Sequence, residues 1–112
     1  WNNSGAQEII SNTAAADNAW RHIAVTYNGS DVTLYIDGVI DNTASLVPPT
    51  ADSNTLSIGA RFEDESNVIE HWKGELDEIR MWNIPLSTDQ IRFIMNQELE
   101  NNSEFLKMKL PL

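Results

Sequence analysis

The stretch WRHIAVTYNGSDVTLYIDG, residues 20–38, decides the fold. Its side chains alternate with a period of two. Ile23, Val25 and Tyr27 interleave with His22, Ala24 and Thr26, and Val32, Leu34 and Ile36 interleave with Thr33 and Tyr35. Such alternation places the apolar groups on one face of a strand. Between the runs lies Asn28-Gly29-Ser30-Asp31, a loop in which Gly29 can supply positive φ. Asp37-Gly38 follows the second run. That pair suits a two-residue type I′ turn, whose central residues both take positive φ. The spacing predicts a three-stranded antiparallel meander over residues 20–44.

Working outward, AQEIIS (6–11) reads as a short strand and SNTAAADNA (11–19) as a polar connection. VPPTADSN (47–54) is no central strand, because its two prolines remove ladder donors. TLSIGA (55–60) returns to alternation, with Leu56 and Ile58 on one face. RFEDESNVIEHW (61–72) reads as a long acidic loop or two loosely paired edges. KGELDEIRMW (73–82) reads as a strand with Asp77, Ile79 and Met81 sharing a face. One helix is well marked, in LSTDQIRFIM (86–95). Ser87 is its N-cap, Gln90 completes a capping box, and Leu86 with Ile91 forms a hydrophobic staple. Asp89 complements the positive end of its dipole. Ile91, Ile94 and Met95 make the stripe it buries, and it is expected to end near Glu100. The tail SEFLKMKLPL (103–112) alternates again, as a last strand or a linker.

The 112 residues make one domain, 1–112, and its net charge of -10 is at odds with binding a phosphate backbone. Its seven Lys and Arg residues are scattered rather than clustered, so no nucleic-acid partner is expected. The absence of cysteine removes disulfides, catalytic thiols and thiolate zinc sites together. No apolar run is long enough to insert in a membrane. The chain opens at Trp1 without a leader and closes on Pro111-Leu112, so it is expected to be part of a longer polypeptide. Asn-X-Ser sequons stand at Asn2, Asn28 and Asn101. Twelve asparagines give about one or two by chance, and the sequence alone assigns them no role.

Three separated segments, in this order, carry a resemblance: WRHIAVTYNGSDVTLYIDGV, LSIGAR and WKGELDEIRMWNIPLSTDQI. Together they resemble the laminin-G-like domains of the concanavalin A-like lectin and glucanase superfamily, over residues 20–94. The resemblance implies an all-β fold, a jelly-roll antiparallel β-sandwich with one short C-terminal helix. It also implies a non-catalytic module of a bacterial secreted or surface protein that binds carbohydrate or an extracellular protein partner. The family's opening strands are largely missing from this chain. An incomplete sheet edge of that kind invites pairing with a second copy, a homo-oligomer.

Catalysis is the first chemistry to weigh, since the superfamily includes glycoside hydrolases. Retaining enzymes need two carboxylates roughly 5 Å apart across the scissile bond. Related glucanases place them as Glu-X-Asp-X-(X)-Glu on one strand. Glu75-Leu76-Asp77 imitates the first half, but Ile79 and Arg80 stand where the last glutamate belongs. On a strand, Glu78 would face away from Asp77. A glycoside hydrolase fragment is therefore the weakest of three readings. A structural or adhesin spacer without a ligand is the second.

By the same resemblance Asp77 is the candidate ligand of a structural calcium. That ion takes six to eight oxygens, so main-chain carbonyls would have to help. The alternative is that Asp77 only hydrogen-bonds main chain at a strand end. Glu63, Asp64 and Glu65 form a weaker metal hint and suit a solvated edge better. His22 and His71 are too isolated for zinc. Sugar rings stack their C–H faces on aromatic side chains. Trp20 and Trp82 fall inside the family motifs and are expected in the core. Trp72 and His71, beside the acidic loop, are the expected ligand-facing residues, because loops carry recognition more often than strands do.

Overall fold

The computed structural model describes residues 7–48, 56–64 and 66–97. They fall into two compact units, one within 1–50 and 82–112, the other within 51–81.

In the first unit, β1 (Ile23–Tyr27), β2 (Asp31–Ile36) and β3 (Val39–Ser45) form an antiparallel sheet in the order β1-β2-β3. This is the expected meander, and its turns show why. At the first, Asn28 N–H donates to Asp31 O at 3.2 Å, and Gly29 alone takes positive φ, at 100°. Glycine takes that φ without the clash a Cβ would bring. At the second, Asp37 and Gly38 take φ of 50° and 76°, as a type I′ turn requires.

Register sorts the side chains. Ala24 stands opposite Tyr35 on one face, while Ile23 and Val25 stand opposite Ile36 and Leu34 on the other. β2 buries side chains on both faces: Val32, Leu34 and Ile36 on the second, and on the first Tyr35, against the helix. Tyr35, Leu86, Ile91 and Ile94 are buried together, with Ala24, Trp82 and Ile84 packed against them. Three of these residues come from α1 (Thr88–Ile94) and the residue before its cap. The capping box forms as expected: Gln90 N–H donates to Ser87 Oγ, and Ser87 N–H donates to Gln90 Oε1. The staple residues Leu86 and Ile91 share the core. The helix ends at Ile94 with Met95 as its C-cap, short of Glu100. Ile91, at 1% exposure, is the most buried side chain among the described residues, worth about 2–3 kcal/mol. On the opposite face Ile23 and Val25 of the edge strand remain more than half exposed.

Register also shifts once. Leu34 pairs with Asn42 and Tyr35 with Ile40, so Asp41 is an extra, unpaired residue in β3. A bulge of this kind re-aims a side chain. Asp41 turns its carboxylate to the main-chain N–H groups of Asn12 and Thr13, at 2.6 and 3.0 Å. Farther along, Gln7 grips both the N–H and the C=O of Val47, and Asn42 Nδ2 donates to Ile10 O. From Gln7 on, the segment expected as the strand AQEIIS therefore runs antiparallel beside β3 but is held by side chains, and among the described residues no main-chain ladder joins them. The expected short strand is thus not formed among the described residues.

The second unit holds β4 (Arg61–Asp64) and β5 (Asn67–Ile69), an antiparallel hairpin. It resolves the 61–72 alternatives in favour of paired edges. The two other strands expected here are not formed among the described residues. Residues 56–60 bend through Gly59, at φ 81°, and leave Leu56 and Ile58 exposed. Residues 73–81 are irregular, with Glu78 at φ 53° interrupting any pleat.

Candidate functional site

The loop after β5 carries the two residues expected to face a ligand. Glu70 leaves the hairpin at φ 54°, and its carboxylate receives both Arg61 Nε and Nη2, at 2.7 and 3.1 Å. That guanidinium holds the Glu70 carboxyl below its ordinary range. His71 follows, with its ring Nε2 3.2 Å from Val68 O. Trp72 N–H then donates to Gly59 O at 2.6 Å, tying the loop to the bend before β4.

Two glycines seat the indole. A Cβ at Gly74 would lie 2.8 Å from Trp72 Nε1 and 3.3 Å from Cε2, so the indole edge occupies the space a side chain would need. A Cβ at Gly59 would meet Leu76 Cδ1 at 3.1 Å and Trp72 Cβ at 3.8 Å. Held this way, Trp72 is 46% exposed. An exposed ring on an ordered main chain offers an apolar surface without the entropy cost of ordering it.

Several described acids of this unit are occupied locally. Asp77 is exposed, and its Oδ1 accepts from Glu78 N–H at 2.8 Å. Glu78 pairs with Arg80 at 2.7 Å. Asp64 accepts from Ser66 N–H, and Glu63 accepts from Asn67 Nδ2. Glu65 lies outside the described residues. Among the described residues no three His, Cys, Asp or Glu side chains gather where an ion could be held. A calcium ion needs six to eight oxygens, and among the described residues Asp77 is not joined at one place by two further carboxylates. The described side chains do not by themselves fit the ion.

The separation of Asp77 from Glu78 by strand pleating also fails as a reason against catalysis, because no strand forms there. Asp77 instead accepts a main-chain N–H, and Glu78 pairs with Arg80.

In the first unit Trp82 packs on the core as expected, but Trp20 does not: it is 67% exposed at the entry to β1. The run of residues 11–19 just before it offers no apolar side chain larger than alanine to bury it. Beside it, Arg21 bridges Asp17 and Asp37. The Asp37 carboxyl is held low first by His22 N–H and then by Arg21, and its own N–H donates to His22 O at 2.8 Å. The turn is thus locked to the strand entry.

The profile of a laminin G-type family described as the concanavalin A-like lectin/glucanases superfamily matches residues 1–92. The chain belongs to that superfamily, and its antiparallel sheets with one short helix agree with a concanavalin A-like β-sandwich. No curated protein matches it. Among solved structures, an S-layer domain-containing protein (residues 221–444) from Clostridium thermocellum is similar, with a TM-score of 0.63 and 26% identity. The match covers 79% of this chain and 44% of that one, so the chain spans less than half of its length.

Proposed function

We propose that this chain is a non-catalytic recognition module of a secreted or surface protein, contacting a glycan through Trp72 with His71 beside it. The observation that carries the reading is the seating of Trp72, half exposed yet fixed by Gly59 and Gly74. Membership of a superfamily that includes lectins supports it, as does likeness to an S-layer domain-containing protein. Among the described residues no helix is long and apolar enough to cross a membrane. The local commitments of Asp77 and Glu78 argue against a hydrolytic pair.

The test is calorimetric titration with soluble oligosaccharides of glucose, galactose, mannose and their N-acetylated amino sugars, then with Trp72→Ala. Stacking on one ring is worth about 1 kcal/mol, so the variant should bind about fivefold or more weakly with an unchanged unfolding midpoint. Binding that survives the substitution would refute the assignment of Trp72. Failure of every sugar would shift the reading to a protein ligand or to a spacer.

A further inference from the structure

We infer that Asn28 is an acceptor site for N-linked glycosylation. Asn28-Gly29-Ser30 is an Asn-X-Ser sequon at the exposed tip of the β1–β2 hairpin. The side chain is already arranged there. Asn28 Oδ1 accepts the N–H groups of Ser30 at 3.0 Å and of Asp31 at 2.8 Å. These bonds span two and three residues, so they form with the turn itself and do not wait for the rest of the fold. Two donors on Oδ1 polarise the amide and make an Nδ2 proton easier to remove. Nδ2 makes no hydrogen bond among the described residues and stands in solvent, as does the Ser30 hydroxyl.

The step is transfer of a glycan from a lipid diphosphate donor by an oligosaccharyltransferase. Nδ2 forms a bond to the anomeric carbon, and the bond from that carbon to the diphosphate oxygen breaks. The diphosphate leaves with the electron pair, and the Nδ2 proton passes to a base of the transferase. The glycan adds bulk only at the hairpin tip, where a Cβ on Gly29 would meet nothing within 4 Å. The two other sequons, at Asn2 and Asn101, lie outside the described residues and serve as internal references.

The experiment is secretion of the full chain from an N-glycosylating eukaryotic host, with site occupancy read by peptide mass spectrometry after amidase release. Asn28 is expected to be occupied, and Asn28→Gln to abolish that glycoform. Ser30→Ala, which keeps both main-chain donors but removes the hydroxyl, should abolish it as well. Gly29→Ala keeps the sequon but places a Cβ at φ 100°, and should lower Asn28 occupancy about fivefold. A bare Asn28 in the secreted chain would overturn the site. Unchanged occupancy in Gly29→Ala would overturn the role given to the turn.

Discussion

Gly38→Ala against Gly29→Ala tests whether α1 is docked on the second turn of the meander. Both glycines have positive φ, 76° and 100°, and an alanine forced there costs about 1–2 kcal/mol at either position. The surroundings differ. Around Gly29 a Cβ meets nothing within 4 Å. At Gly38 it would fall 2.8 Å from Arg92 Cγ and 3.1 Å from Met95 Sδ, both from the end of the helix. Crowding of that kind costs about 1–3 kcal/mol. Displacing Arg92 also loosens the bond from its Nε to Gly38 O, 2.8 Å long, worth about 1 kcal/mol. Gly38→Ala should therefore destabilise by about 3–6 kcal/mol, and Gly29→Ala by about 1–2. Urea unfolding followed by tryptophan fluorescence gives both values. Arg92→Ala should relieve part of the Gly38→Ala penalty in the double variant, since the two sites are in contact. Equal losses at the two glycines would refute the docking of helix on turn.

Four further outcomes follow from the same contacts. Gly74→Ala should shift the emission of Trp72 and weaken any sugar binding without a large change in midpoint, because its Cβ displaces an exposed indole; unchanged emission in a variant whose other tryptophans are Phe would count against the seating. Ser87→Ala should cost about 1 kcal/mol and Ser87→Gly only a few tenths, and equal losses in urea would contradict the capping box. The Asp37 carboxyl is lowered in the fold, so its stabilisation is present above the unfolded value near pH 4 and is lost as pH falls through the folded one. Asp37→Asn tolerates the positive φ and should lose less stability than the parent between neutral pH and about pH 3; an identical acid slope would contradict this. Calcium tests Asp77: a thermal midpoint that rises with the ion over excess chelator, and loses the rise in Asp77→Asn, would place an ion there, and no response would leave Asp77 a structural residue.

What the sequence revealed was what its near neighbours determine. Asp37-Gly38 and Asn28-Gly29 set their turns through their own φ angles, and register then placed Tyr35 and Ala24 on the helix face without further information. Ser87 and Gln90 close their box across three residues. Alternation misled where the partner was distant. TLSIGA and KGELDEIRMW have strand-like patterns, yet a pattern does not supply a neighbouring strand, and Gly59 and Glu78 take left-handed backbone instead. The site was legible in part. Proximity to an acidic loop marked Trp72, but its support by Gly59 and Gly74 depends on a bend no local rule describes. Trp20 departs from the inward packing usual of a strand-end tryptophan, because the residues just before it bring no apolar side chain larger than alanine.

The attachment of residues 7–13 to β3 has one more consequence. A main-chain ladder repeats every two residues, so a strand that slips by two finds equivalent partners. The bonds from Gln7, Asn42 and Asp41 do not repeat: each needs a particular amide or carboxylate at a particular place. This edge works like a combination lock with three tumblers. It admits one alignment, and the same specificity keeps a stray strand from substituting for the segment that belongs there.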